Sequence, residues 1–559
     1  MKSISKYIIM GAFALAVTSC DLDMQPETTM TDTGFWKTET DLRGACNRFY
    51  EQLNGDNDLG GGFSHDRRSD ELAGTNGQSQ GNWTIPSTNG AWTDSYWRIN
   101  IANNILEKSP KAAVPEDILN RYQAEAKFFR AYYYFELTKK YGDVPLLLKT
   151  IDNTKDPDLK MGRTPREEVI KQVYEDLDFA SQWLPDIDNI SAKDWGQVSR
   201  QAALAMIVRV GLYTGTHGKY HKDAGCDPNL HLTKAVEAAR NLIVGDNKGK
   251  FELYYDFEKL FQDEAEGRGN RENIFVKVYG PNGAATTKHR NSRDLETGTS
   301  LTRNIVDLFL YTDGLPREKS PLAIIPETSY DDIFSNRDPR LGMTIYKIGE
   351  EAYKGAFNPF AFGTGYSIKK GFSLAQWTTN GGEWTDKMII RYAEVLISYA
   401  EALYELNGSI SDSDLDITVN ALRRRVGMPA MLTNAFASAN GLDILDEIRR
   451  ERTIEFIDEN KRYDDIIRWK IAEYVLPVDI IGAKFNDDET PKQRTDYDGH
   501  LTETAGMLNG KTRYDQNDMY VIEFAEDRKF NPAKDYLYPV PLYEIANSGG
   551  NVTQNPGWE

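Results

Sequence analysis

His217, His221, Cys226 and His231 fall within one short stretch, and these are residue types that zinc selects as ligands. Their spacing matches no established zinc pattern, so they are expected to be solvent-exposed loop histidines, and no metal or cofactor is assigned. Asn54, Asp56 and Asp58 begin like a calcium loop, but Leu59 stands where the turn glycine belongs and the closing glutamate is missing. Glycoside hydrolysis needs two carboxylates facing each other across a cleft. With 85 acidic residues some pair always exists. Glu394, Glu401, Glu451 and Glu455 read better as helix acids paired with the arginines around them. A nucleophile elbow, a Walker loop, an H-E-x-x-H pair and a dinucleotide-binding glycine run are all missing from the sequence, and the chain is read as non-catalytic.

Aromatic rings are the other source of chemistry. In residues 122–146, Ala124, Phe128, Ala131, Phe135 and the Tyr132–Tyr134 run recur at three- and four-residue steps. That period predicts a helix with an aromatic face, stopped by Gly142 and Pro145. Such a face is either a stacking platform for sugar rings or ordinary core. Trp83 and Trp92 differ in setting. They stand in a stretch rich in Gly, Asn and Ser turn signals between Asn54 and Gly90, and long ordered loops in compact proteins are usually functional. A tryptophan there either pins the loop to the core or waits for a ligand.

The elements that must position these residues are mostly helical. Helices are predicted over 35–53, 94–109, 199–214, 233–244, 388–406, 417–426 and 444–459, with one starting at Thr164 as N-cap and Pro165 as first residue. Asn273–Tyr279 alternates like a strand. Residues 280–376 and 480–535 read as irregular tracts, the first carrying Phe357, Phe360, Phe362 and Tyr366, with Trp377 and Trp384 just beyond it. Helices joined in pairs by short turns suggest a tetratricopeptide-like solenoid without its strict period.

Composition supports a folded body, with 40% hydrophobic, 27% charged and 11% aromatic residues. The net charge of −19 argues against a nucleic-acid partner. Lys2 and Lys6, the apolar run Tyr7–Val17 and the small residues after it form a secretory signal over 1–19. Val17-Thr18-Ser19-Cys20 resembles a bacterial lipobox, which makes Cys20 the expected lipidation site on a membrane and 20–33 a polar linker. The body at 34–559 divides into 34–272, with a binding-loop insertion at 54–93, and 273–559, with insertions at 280–387 and 480–535. Cys46 and Cys226 are expected to be free thiols.

Several blocks in order resemble one family. They are the Cys20 lipobox, Phe129-Arg-Ala-Tyr-Tyr-Tyr-Phe135 with Tyr141-Gly-Asp-Val-Pro-Leu146, Ile390-Arg-Tyr-Ala-Glu-Val-Leu396, Asn420-Ala-Leu-Arg423 with Arg425-Val-Gly-Met-Pro429, Ile448-Arg-Arg-Glu-Arg-Thr-Ile-Glu455, Arg462-Tyr-Asp-Asp-Ile-Ile-Arg-Trp469 and Gln554-Asn-Pro-Gly-Trp558. Together they resemble SusD/RagB nutrient-binding outer-membrane lipoproteins of Bacteroidetes. The resemblance implies a mostly α fold, a tetratricopeptide-like helical-hairpin superhelix with a loop-rich ligand-binding face and few short strands. It implies a surface-exposed, lipid-anchored protein that binds oligosaccharide or polysaccharide and passes it to a SusC-like TonB-dependent transporter. Peptide cargo, a surface glycosidase and a protein-binding helical adaptor are the alternatives.

The shared blocks do not carry the binding residues. A glycan site needs exposed rings beside planar polar groups. That nominates Trp83, near Gln80 and Asn82; Trp92, near Asn89 and Asp94; and Tyr366 and Trp377, near Gln376. His289 and Arg290 are added because relatives carry ligand contacts on the loop after this strand. The aromatics of 122–146 are assigned to the scaffold.

Overall fold

The computed structural model describes residues 34–483 and 521–559, apart from 52, 54–63, 75, 152, 154, 281–287, 297–298 and 360–362, with the backbone of short strand pairs between 494 and 512. The signal segment, Cys20, the Asn54–Asp58 loop, Phe360, Phe362 and much of 484–520 lie outside the described residues.

The first half is a run of packed helices: α1 (Glu39–Glu51), α2 (Gly90–Lys108), α3 (Glu116–Tyr141), α4 (Arg166–Trp183), α5 (Arg200–Tyr220) and α6 (Pro228–Ile243). Sequence neighbours pack as pairs, α3 on α2 and α4, α5 on α6. The α5–α6 approach is close enough that a Cβ on Gly211 would stand 2.6 Å from the His231 carbonyl, and one on Gly215 2.7 Å from Leu232 Cγ. Asn89 caps α2 by accepting from Ala91 N–H at 2.9 Å, and Ser199 caps α5 by accepting from Ala202 N–H at 3.0 Å. The expected cap of α4 is corrected. Pro165 occupies the cap position and has no side-chain acceptor, so Asp143 reaches across to accept from Arg166 N–H at 2.8 Å, while Thr164 pairs with Val144 through the backbone.

α3 is the centre of the packing, and it is buried almost all round from Phe128 to Tyr141 rather than along one stripe. Phe129 stacks on Phe49 at 4.7 Å and Phe135 meets Tyr213 edge-on at 5.6 Å. The buried charged residues of α3 are paired. Arg130 donates to both Asp176 oxygens at 2.7 and 2.8 Å, and Lys140 pairs with Glu136 at 3.0 Å. Buried charges survive only when satisfied this way. The C-terminal tail closes over the end of α3. Asn555 Nδ2 donates to the carbonyls of Tyr141 and Tyr538, and the Trp558 indole N–H donates to Leu537 O at 3.0 Å.

The second half begins with strand β1 (Asn273–Lys277), which pairs antiparallel with β2 (Lys387–Arg391). The expected helix over 388–406 is therefore corrected at its start. Periodicity cannot separate a short apolar run such as Met388-Ile389-Ile390 from a helical turn, and α9 (Tyr392–Asn407) starts only after the strand. Between the strands lie the short helices α7 (Asn291–Glu296) and α8 (Leu374–Trp377). Then follow α10 (Val419–Arg425), α11 (Ile444–Glu455), α12 (Arg462–Arg468) and α13 (Leu542–Asn547). α11 stops four residues earlier than expected, and Asp458 and Asn460 turn the chain with φ of 59° and 57°. One hydrophobic core runs through α1–α6, β1–β2 and α9–α12, and a second gathers Leu301, Phe309, Ile345, Tyr366 and Ile368 under the 300–370 region.

The helix acids hold ion pairs. Arg468 donates to both oxygens of Glu401 at 2.6 and 2.7 Å, and Trp469 Nε1 donates at 2.6 Å. Arg209 donates to both oxygens of Glu394 at 2.7 Å. The histidines are not solvated loop residues. His217 and His231 lie buried on α5 and α6, and His217 stacks on His221 at 4.1 Å. Burial, with Arg166 beside it, pushes the His217 pKa well down, and burial lowers that of His221 to about 4. The two cysteines in the body are free.

Two outcomes follow. Phe135→Ala removes a ring from the fully packed side of α3 and costs about 3–5 kcal/mol, read as a lower denaturant midpoint at unchanged slope, whereas a change within 1 kcal/mol would show that the site repacks. Burial raises the Glu401 carboxyl, but the Arg468 guanidinium overrides it and holds the pKa at about 2 instead of 4.5. A depressed carboxylate stabilises the folded state fully above the unfolded pKa and loses that contribution as pH falls through the folded one. Thermal stability should drop between about pH 4.5 and 2, and Glu401→Gln should flatten that part of the profile from a lower starting value.

Candidate ligand-binding site

Three segments after β1 come together at the loop-rich end: 288–296, 371–377 and 383–386. Their joints are polar and specific. His289 and Glu383 exchange backbone hydrogen bonds at 3.1 and 3.3 Å. The Glu383 carboxylate accepts from Ser292 N–H at 2.8 Å. Asn291 Nδ2 donates to Gly371 O at 3.0 Å. The buried Gln376 amide accepts from Trp384 N–H at 2.8 Å and donates to Thr385 Oγ1 at 2.6 Å. A glutamine next to Trp377 in sequence thus serves as a bracket between loops.

On this frame Trp377, at the end of α8, lies against α7. The Arg293 guanidinium stands 3.9 Å from the indole centroid, the indole N–H donates to Glu296, and the Tyr353 ring lies 5.8 Å away. The ring is held from one side and by its polar edge while part of it stays at the surface. Arg290 extends outward, its side chain 68% exposed, with Asp294 at 2.8 Å. His289 is structural by geometry. Its Nε2–H donates to Thr385 O at 3.0 Å, Nδ1 accepts from Asn291 N–H at 3.2 Å, and Tyr279 meets the ring edge-on at 4.9 Å. Burial lowers its pKa to about 4, so the imidazole is neutral at neutral pH. Two acids lie at the base of the cluster. Burial raises Asp386 to about 7, and burial with the Asp386 charge raises Glu266 to about 7. Tyr279 N–H donates to Asp386 at 2.8 Å, and Asp386 N–H donates to Glu266 at 3.2 Å.

Of the residues nominated from sequence, His289, Arg290 and Trp377 are therefore neighbours. Tyr366 lies in the second core with no exposed surface, stacked near Tyr330 and receiving a hydrogen bond from Arg303 at 3.2 Å. Trp83 and Trp92 are elsewhere, against the C-terminal tail. Trp83 meets Tyr538 at 4.3 Å and Trp558 at 5.6 Å, and Trp92 is 3% exposed between Tyr96 and Tyr141.

Trp92 forms part of the wall of a groove of about 1070 Å³ between α2, the 145–161 loop and α13. The prominent residue there is Trp97, which sequence reasoning passed over. It is 50% exposed, and a neighbouring cleft of about 540 Å³ shares Trp97 and Asn100 with the groove. The available signal was a tryptophan flanked at helical spacing by Thr93, Asn100 and Asn104, a position where a ring has no core to enter. The groove is roomy, but two of its amides are engaged. Asn103 donates to Leu147 O and Lys149 O and accepts from Arg130, and Asn100 accepts from Ile151 N–H.

Paired helices thus form a scaffold whose insertions gather aromatic and charged side chains on one loop-built face. Residues 258–558 match the SusD family, and residues 23–212 match a second family described as "Starch-binding associating with outer membrane". The chain belongs to the SusD family. It is similar to a SusD-like protein of Formosa agariphila, 27% identical over 97% of this chain and 98% of that one, and to a SusD-like protein of Bacteroides ovatus, 24% identical over 83% and 82%. Among solved structures it resembles a SusD-like carbohydrate binding protein of Bacteroides fragilis, with TM-score 0.69 and 22% identity over 92% of this chain and 99% of that one. It also resembles a laminarin binding SusD-like protein, with TM-score 0.62 and 20% identity over 93% and 100%. The mostly helical, tetratricopeptide-like architecture is the shared fold.

Proposed function

We propose that this chain is a non-catalytic surface lipoprotein, anchored in the outer membrane through Cys20, that binds an oligosaccharide and delivers it to a SusC-like TonB-dependent transporter. The family description and the carbohydrate-binding relatives support the ligand class and the membrane association. Among the described residues no helix is long and apolar enough to cross a membrane, so a lipid on Cys20 supplies the attachment. The observation that carries the site is Trp377, braced by Arg293 and Glu296 beside the outward Arg290. A sugar ring packs its C–H face on an indole, and a fixed indole gives up little conformational freedom on doing so. Arg290 adds a planar donor for hydroxyl groups at the rim. His289 positions the loop instead of touching the ligand.

The acids Glu266 and Asp386 are the pair that a hydrolase would need near this site. Both are instead engaged by backbone N–H groups that close the loops, which favours binding without bond cleavage.

Screening of the protein against glycans and peptides should return a glycan. Trp377→Ala should then weaken binding by roughly tenfold, about 1.4 kcal/mol, with the melting temperature nearly unchanged, while Trp97→Ala leaves affinity as it was. The reverse pattern would move the seat to the α2 groove, and a peptide hit alone would overturn the ligand class. Long incubation with the bound glycan should leave it intact, and release of product that stops in Asp386→Asn would reinstate the hydrolase.

A further inference from the structure

Far from the loop face, Glu167 on the first turn of α4, Cys226 in the turn before α6 and His231 on α6 converge. One ligand atom from each lies within 4.8 Å of the other two. His231 is fully buried, Cys226 is half-buried and the Glu167 side chain is 18% exposed, so the cluster is built into the fold yet open on one side. The imidazole is oriented by a further group. Nε2 faces Glu167 Oε2 at 2.9 Å, and Nδ1 contacts the Tyr174 hydroxyl at 2.9 Å, with the phenol ring stacked alongside. Nothing in glycan recognition uses these residues.

We propose that Glu167, Cys226 and His231 form a zinc site that clamps α4 to the α5–α6 turn. Thiolate, imidazole and carboxylate are the donor set that a borderline-soft divalent cation prefers, and three protein ligands leave a fourth tetrahedral position for solvent. Binding needs a tautomer change that the surroundings permit. In the metal-free state Nε2–H donates to Glu167 and Tyr174 donates to Nδ1. With zinc on Nε2 the proton sits on Nδ1 and the Tyr174 oxygen accepts it, which is how outer hydrogen bonds fix ligating histidines. The metal also displaces the thiol proton to solvent, leaving a thiolate–zinc bond. The sequence hid this arrangement because its acid comes from a helix 64 residues before His231, and only Cys226 and His231 of the four clustered residues are used.

The test is cobalt and zinc titration of the full chain, with Cys226→Ser, Glu167→Gln and Tyr174→Phe variants. Co²⁺ should produce a thiolate-to-metal charge-transfer band with a single equivalent bound. Zn²⁺ should displace it and raise the melting temperature. Cys226→Ser should abolish the band, Glu167→Gln should weaken binding, and Tyr174→Phe should weaken it by roughly 10–100-fold. No band in the folded wild-type chain would overturn the proposal. So would zinc binding that Cys226→Ser leaves unchanged, which would mark an adventitious surface ion. Loss of glycan binding in the Trp377 variant has no bearing on this outcome.

Discussion

The Glu455 carboxylate is buried without solvent contact and receives guanidinium hydrogen bonds from three separate segments. Arg391 donates at 2.6 Å, Arg425 at 2.6 and 2.7 Å, and Arg340 at 3.2 Å. Burial would raise its pKa, but these three cations hold it well below the carboxylate range. Removing such charges from water costs several kcal/mol per ion, and only a complete set of partners offsets it. The consequence is geometric. Arg391 sits where β2 turns into α9, Arg425 ends α10, Arg340 belongs to the second core's region, and Glu455 ends α11. A slip in any of these leaves a buried charge unmatched, so the network sets how the helical scaffold and the 300–370 region meet. Neighbouring Ile454 and Ile457 pack in the second core while Phe456 packs in the first.

The same network reaches the proposed ligand face. Glu459 accepts from Arg391 at 2.8 Å and from Lys370 at 2.6 Å, and Lys370 also donates to Ile457 O at 2.8 Å. Lys370 immediately precedes Gly371, which carries the carbonyl bonded by Asn291, and the segment runs on into α8 and Trp377. A ring at the surface is thereby referenced to the deepest charges in the molecule through two short steps. Preorganised aromatic surfaces bind better than mobile ones because less ordering remains to be done on association.

Helix content and the family were legible in the sequence because both depend on local pattern: alanine- and aromatic-rich periods, turn glycines and ordered blocks such as Tyr141-Gly142-Asp143. The site was legible only in part. His289, Arg290 and Trp377 meet through long-range bonds, His289 with Glu383 and Trp377 with Glu296, which leave no periodic trace. Tyr366 looked like a loop residue because glycines flank it, but those glycines let the chain turn into a second core that composition does not reveal. Trp83 occupies a loop, yet Trp558 folds back on it from the far end of the chain, and Trp92 at a helix start is enclosed between Tyr96 and Tyr141. The α4 cap failed for the same reason, since the acceptor comes from Asp143 on the preceding turn.

The aromatic helix at the centre and the aromatic at the face show why residue type alone does not assign function. In α3 the rings of Phe128, Phe129, Tyr134 and Phe135 are enclosed by neighbouring helices, and hydroxyls such as that of Tyr134 are used up on Leu147, donating at 2.7 Å and accepting at 2.6 Å. Such a ring is committed to the scaffold, through its burial and through any hydrogen bond its hydroxyl makes. Trp377 has its polar edge satisfied by Glu296 and one face occupied by Arg293, and yet remains partly exposed. Satisfying an indole in place without enclosing it makes stability indifferent to the remaining surface, so that surface is free to answer to a ligand. The α2 groove shows the other half of the argument. Its volume is about 1070 Å³, but Asn103 in its wall already spends both donors and its acceptor on the backbone of 147–149 and on Arg130. A cleft whose amides are committed to holding their own walls has fewer directed bonds to offer a sugar than a face with an outward guanidinium.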